Sequence, residues 1–194
     1  GQTLDRSQYE IVVVDDGSTD RTSEVVRSFG DGIRLIINDE NLGLPASLNI
    51  AIRSARTPFV VRVDADDYVN ESFLDILLKF LGANPEMDAV ACDYLLVDER
   101  EEVVARKRSD EEPIACGIMF RTDQLIRLGL YDESFLVHED RDLRIRFLKD
   151  YSIHSVRLPL YRYRRHDSNM TNDSVEMERQ HARLLRKHGV VSDD

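Results

Sequence analysis

The chain has 194 residues, a formal charge of −11, 42 % hydrophobic and 32 % charged residues, which is ordinary for a soluble globular domain long enough for one core. So acidic a chain lacks the basic face that nucleic acid demands, although a nucleotide held through a metal remains compatible with it. Cys92 and Cys116 sit far apart inside apolar runs, which suits buried thiols in a reducing compartment, and no run approaches the ~20 apolar residues that span a bilayer.

Gly1–Glu10 is polar and aperiodic; no signal peptide is visible there. Ile11–Val14 is β-branched and predicts a buried parallel strand. The turn cluster Asp15-Asp16-Gly17-Ser18-Thr19-Asp20 follows, with Asp20 placed to cap a helix whose inner face would be Val25, Val26 and Phe29. Ile33–Ile37 is the next strand. Asn38–Gly43 is a loop in which Gly43 suits a positive φ. Leu44, Leu48, Ala51, Ile52 and Ala55 recur at helical spacing, with Pro45 in the first turn, where its missing N–H costs nothing. Pro58 breaks the chain before the apolar run Phe59–Val63, which only Arg62 interrupts.

After that run, Asn70 or Ser72 would cap a helix carrying Phe73, Leu74, Leu77, Leu78 and Leu81. Ala89–Val97 reads as strand, and the charge-dense Asp98–Glu112 as a loop or exposed hairpin. Ile114–Phe120 is strand, and Thr122–Leu128 a short helix closed by Gly129. Asp140–Lys149 predicts an amphipathic helix with Leu143, Ile145, Phe147 and Leu148 available for burial. Ile153–Arg164 is extended, with Pro159 marking a bend or an edge, and Val175–His188 is a final helix stopped by Gly189. Strands alternating with helices, without repeat or linker, predict one α/β domain over residues 1–194: a mainly parallel, Rossmann-like sheet with helices on both faces.

The stretch Asp64-Ala-Asp66-Asp67 sets three carboxylates within four residues at a predicted strand end. Acids so close repel one another unless a cation or a donor-rich ligand sits among them, and ligands of open α/β sheets bind at that edge. The pattern suits a hard cation carrying a phosphate-bearing ligand. An isolated motif of this kind is more often a solvated turn that caps a helix; here four other stretches accompany it.

Those stretches are Val14-Asp15-Asp16-Gly17-Ser18-Thr19-Asp20, Asn41-Leu42-Gly43 with Asn49, His138-Glu139-Asp140 and Tyr163-Arg164-Arg165-His166-Asp167-Ser168. In this order and at these separations, from about Glu10 to about Thr171, the chain resembles the family 2 glycosyltransferases of GT-A fold. The resemblance implies inverting sugar transfer from a nucleoside-diphosphate donor, a UDP-sugar first, to a hydroxyl of a saccharide or lipid-linked acceptor, with Mg²⁺ or Mn²⁺. It implies polysaccharide or cell-envelope synthesis in the cytoplasm, with room for peripheral attachment at the inner membrane face.

Residue by residue, the resemblance makes Asp66 the direct metal ligand and Asp67 a second ligand or a helix cap. Asp64 would contact the ribose or reach the metal through water. Asp16 would accept from the nucleotide base, while Asn41 and Gly43 shape their loop. Asp140 matches the base that takes the acceptor proton, with Glu139 next in line; an acid at a helix start is also simply favoured by the dipole. His166 matches a ligand of the metal or diphosphate, and Arg164 and Arg165 strengthen the phosphate reading. Gly117 would allow close approach of the acceptor. Such proteins normally begin with a further strand and helix that would precede Gly1, so a first βα unit is expected to be missing. A non-catalytic nucleotide-sugar-binding domain is the alternative, and a sugar nucleotidyltransferase a more distant one, for no Gly-rich nucleotide loop occurs.

Overall fold

Two sheets organise the molecule, and the acid-bearing segment follows directly on an edge strand of the larger one. The computed structural model describes residues 1–135, 137–165 and 174–189, with backbone alone over 174–178. β1 (Val12–Asp15) pairs in parallel with β2 (Arg34–Ile37) across the short helix α1 (Thr22–Arg27), and α2 (Leu44–Ser54) packs back on β1. The larger sheet has the order β3 (Phe59–Val61), β7 (Ile118–Arg121), β5 (Ala89–Val97), β8 (Ile153–Arg164), β4 (Tyr68–Val69), with β6 (Val103–Lys107) also paired to β5. α3 (Phe73–Ala83), α4 (Thr122–Leu128), α5 (Glu139–Asp150) and α6 (Ser174–His188) complete the described elements.

The α/β class holds, but the expected mainly parallel sheet does not. Among the described residues of the larger sheet, only β5 and β8 run parallel; β3–β7, β7–β5, β5–β6 and β8–β4 are antiparallel. An apolar run reports that a strand is buried and says nothing of its direction. The charge-dense segment after β5 folds back as the hairpin strand β6, and β7 enters antiparallel between β3 and β5.

β5 is the spine because both of its faces are buried. Ala89 and Ala91 join Ile118, Phe120, Leu125, Leu143 and Phe147 beneath α4 and α5. Val90, Cys92 and Tyr94 join Met119, Tyr161, Phe73, Leu77 and Leu81 beneath α3. The period of two along one strand thus feeds two cores. Both thiols are free and buried, as their apolar contexts imply. Pro159 lies where the β5–β8 register shifts beside Asp93 and beyond the reach of β4, which pairs only with Tyr161 and Arg162; at such a bend with one free side a missing N–H costs little. Val25 and Phe29 also depart from expectation: α1 ends at Arg27, and the two side chains are 52 % and 66 % exposed.

β1 and β3 belong to different sheets, and an apolar cavity of about 340 Å³ lies between them, lined by Val12, Leu48, Val60, Leu74 and Met119 among others.

α6 is tied to α5 by charge. Asp142, fully buried on α5, accepts from Arg146 Nε (2.8 Å), Lys187 Nζ (2.5 Å) and His188 Nε2 (2.9 Å). Burial pushes this carboxyl up, but Lys187, His188 and Arg146 outweigh it and hold it below its ordinary value of 3.8. A depressed acid contributes stability above its unfolded pKa and loses it as pH falls through the folded one. Asp142→Asn is therefore expected to lower urea stability at pH 7 by roughly 2–3 kcal/mol, less than the ~3–5 of a wholly enclosed pair because Lys187 is a third exposed. The gap from wild type should narrow below about pH 4, where the wild-type carboxyl also protonates. A gap independent of pH would show that this network does not hold the helix.

Candidate active site

The acidic loop leaves the end of β3 and is pinned from behind by β8. The Tyr161 hydroxyl donates to Asp67 Oδ2 at 2.6 Å and accepts from the Asp64 backbone N–H at 3.2 Å. The Arg164 N–H donates to Asp67 Oδ1 at 2.8 Å. Both oxygens of Asp67 are thus engaged by β8; the N-cap of α3 is Ser72, whose N–H donates to Asn70 Oδ1 at 2.9 Å. Burial raises the Asp67 pKa, with Tyr161 and Arg164 opposing. Asp66 is exposed at the tip of the loop.

Cys116 was not among the residues singled out for this site, yet its sulfur and carboxylate oxygens of Asp64 and Asp67 lie within 4.8 Å of one another. Burial pushes this thiol well up, which keeps it protonated and a poor ligand. Gly117, at φ +70°, lies against the Tyr161 ring, where an added Cβ would sit 3.3 Å from Cδ2. Its close approach is to that ring.

Arg62 joins this loop to α5. Its Nε and Nη2 donate to the two oxygens of Asp64 at 2.6 and 3.1 Å, and its Nη1 donates to Glu139 Oε1 at 3.1 Å. The side chains of Arg62 and Glu139 are 13 % and 9 % exposed. Glu139 opens α5 after His138, whose φ of 66° turns the chain sharply into the helix. Burial and then the adjacent Asp140 raise the Glu139 pKa; Arg62 pulls it down, without cancelling the rise. Asp140, half-buried, follows on the same turn. A single guanidinium therefore joins the acidic loop, through Asp64, to the start of α5, through Glu139.

At the end of β8, Arg164 donates from Nη2 to Glu101 at 3.1 Å and lies over the Tyr68 ring, and Arg165 is exposed with its N–H on the Val97 carbonyl. The Asp67 bond to Arg164 N–H places this basic segment beside the acids. His166 lies outside the described residues.

Asp16 stands on the smaller sheet, just past β1. Its Oδ1 accepts from Asn38 Nδ2 (2.8 Å) and Leu42 N–H (2.9 Å), and its Oδ2 from Gly43 N–H (2.8 Å). It organises the 38–43 loop, aided by Asn41 Oδ1 accepting from Gly43 N–H at 3.1 Å. Gly17 makes that packing possible: at φ +72°, an added Cβ would lie 2.6 Å from the Glu40 carbonyl carbon. Asn49 clamps the segment before α5, donating to the Tyr131 carbonyl and accepting from its N–H.

The sequence profile of glycosyl transferase family 2 matches residues 2–139. The chain belongs to glycosyl transferase family 2. It is 26 % identical over 184 residues to an uncharacterized glycosyltransferase of Rickettsia typhi, covering 86 % of the present chain and 58 % of that one. It is 35 % identical over 99 residues to the Staphylococcus aureus poly(ribitol-phosphate) beta-N-acetylglucosaminyltransferase TarS, covering 43 % and 17 %. Its fold superposes on S. aureus TarS in complex with UDP (TM-score 0.76, 20 % identity, 100 % of this chain and 60 % of that one). It also superposes on a Pyrobaculum calidifontis mannosyltransferase in complex with GDP-Man and Mn²⁺ (TM-score 0.73, 20 % identity, 99 % and 58 %). The GT-A-type fold is thereby established, and the chain spans about three-fifths of the length of the Rickettsia relative and of both solved structures.

Sequence reasoning passed over Arg62 and Tyr161 in this family 2 site. The one signal for Arg62 was a lone charge inside an apolar strand; Tyr161 offered none beyond its place in an alternating strand. Tyr161→Phe leaves one oxygen of the half-buried Asp67 without its donor. Denaturant unfolding should show a loss of about 1–3 kcal/mol. A loss under ~0.5 kcal/mol would mean that Tyr161 does not pin the loop.

Proposed function

We infer that the protein transfers a sugar, with inversion, from a nucleoside-diphosphate sugar to an acceptor hydroxyl, assisted by Mg²⁺ or Mn²⁺. The observation that supports this reading is the Arg62 bridge, which joins the loop carrying Asp66, through Asp64, to the helix start carrying Asp140, through Glu139.

The donor set accords with a hard divalent ion: carboxylate oxygens of Asp64 and Asp67 lie within 4.8 Å of each other, the exposed Asp66 between them in sequence would be the direct ligand, and such ions keep positions for phosphate oxygens and water. Asp67, whose two oxygens each accept one hydrogen bond from β8, would anchor the loop and serve as a second ligand, with a carboxylate oxygen within 4.8 Å of one of Asp64. Asp64, gripped by Arg62, is held to orient the ribose or a metal-bound water. When bound, the ion offsets negative charge developing on the diphosphate as the anomeric bond breaks. Arg164 and Arg165 would contact the leaving diphosphate, and His166 would bind the metal or the diphosphate, while Asp16 steadies the loop for the base.

Asp140 would accept the proton of the attacking hydroxyl from the face opposite the leaving group. Glu139, committed to Arg62, is the poorer candidate for that role. The complexes of TarS with UDP and UDP-GlcNAc make a UDP-sugar the first donor to test, and the GDP-Man complex of the other neighbour keeps a guanine nucleotide as the second. A saccharide or lipid-linked acceptor in envelope polymer synthesis accords with the name of TarS. We place this work at the cytoplasmic membrane face, with peripheral attachment; among the described residues no helix is long and apolar enough to cross a bilayer.

Asp140→Asn should lower kcat about 10²–10⁴-fold, the usual weight of a general base, while UDP affinity in Mn²⁺ stays within about threefold. Asp66→Asn should abolish both transfer and the Mn²⁺ dependence of UDP binding. Product-release kinetics and calorimetry read the two. Transfer persisting in both variants would refute the mechanism, and Mn²⁺-dependent binding without any turnover by the wild type would favour a non-catalytic binding domain.

A further inference from the structure

We propose that Arg62 is a positioning residue of the transfer reaction: its guanidinium, bound to Asp64 on one side and to Glu139 on the other, sets the distance between the donor-binding loop and the base on α5. The proposal rests on the function inferred above and assigns a role to a residue outside the five motifs.

Three observations support it. The first is the geometry. Nε and Nη2 grip both oxygens of Asp64 while Nη1 reaches Glu139, so one planar group fixes two carboxylates that lie 75 residues apart (139 − 64) in the chain. A lysine, with one nitrogen on a flexible stem, cannot hold both in that relation.

The second is the anchorage of Arg62 itself. Its carbonyl accepts from Gly117 N–H at 3.3 Å, and its side chain is 13 % exposed, so the fork has little freedom to swing. The third is the cost of placing a cation there. In the run Phe59–Val63, an apolar side chain would serve folding at least as well, because desolvating a buried ion pair offsets most of its attraction. What an apolar residue cannot do is hold Asp64 and Glu139 in register. The neighbour of Glu139 is Asp140, and a shift of about 1 Å at a reacting group can cost on the order of 100-fold in rate.

The test compares Arg62→Lys, Glu139→Gln and the double variant, using UDP-GlcNAc and Mn²⁺, with donor hydrolysis as the readout where no acceptor is known. Arg62→Lys should lower kcat about 10–100-fold, with KM for the donor within about threefold. Glu139→Gln, which leaves the Asp64 grip intact, should give a similar kcat loss at unchanged melting temperature. The double variant should lose no more than the worse single one, as expected for residues acting as a unit. A folded Arg62→Lys with kcat within threefold of wild type, or losses that multiply in the double variant, would overturn the proposal. Should Arg62→Lys not fold, Glu139→Gln decides alone, and an unchanged kcat overturns the proposal. If the wild type neither turns over a donor nor binds UDP with Mn²⁺, the functional reading itself fails, and the proposal with it; failure of Arg62 alone leaves wild-type turnover in place.

Discussion

Mutual repulsion among acids is the constraint around which this molecule is built. Asp64, Asp66 and Asp67 lie on one loop and Glu139 and Asp140 open the helix opposite, with Asp64 and Asp67 offering oxygens within 4.8 Å of each other. Two like charges at about 5 Å repel by roughly 3 kcal/mol at an effective dielectric of 20. That is a large share of the ~5–15 kcal/mol by which a domain is stable, so each acid must be matched by a donor or a cation. Arg62 meets Asp64 and Glu139, and Tyr161 with the Arg164 N–H meets Asp67.

The same constraint divides labour among residues of one type. Asp67 faces inward and fastens the loop to β8, while Asp66 faces solvent. Because β8 is interior and pairs with β5, the spine between two apolar cores, the loop inherits the rigidity of the sheet. A rigid carboxylate at the tip suits a group that must meet charge as it develops, since little reorganisation is then needed. Asp142 repeats the logic further along α5, where it binds α6 through Lys187 and His188.

Much of this was legible in the residues. The bounds of β5, α4 and β8 coincide with those read from periodicity, and Gly43 adopts the positive φ its loop position suggests. Periodicity encodes which side chains leave water, so burial was recoverable and strand direction was not; β7 shows the difference. Val25 and Phe29 had helical spacing, but α1 ends before Phe29 and leaves both exposed. Within the site the acids could be named, while their partners could not. Tyr161 reaches Asp67 across 94 residues and Arg62 reaches Glu139 across 77, separations over which spacing carries no information.

Crystals grown with UDP and Mn²⁺, with anomalous scattering recorded at the manganese edge, give the most direct measurement. The account requires one manganese peak within bonding distance of a carboxylate oxygen of Asp66, touching the diphosphate, with the Asp140 carboxylate facing that ligand across the same cleft. Manganese bound away from the loop, or a nucleotide whose diphosphate lies out of reach of both acids, would contradict it.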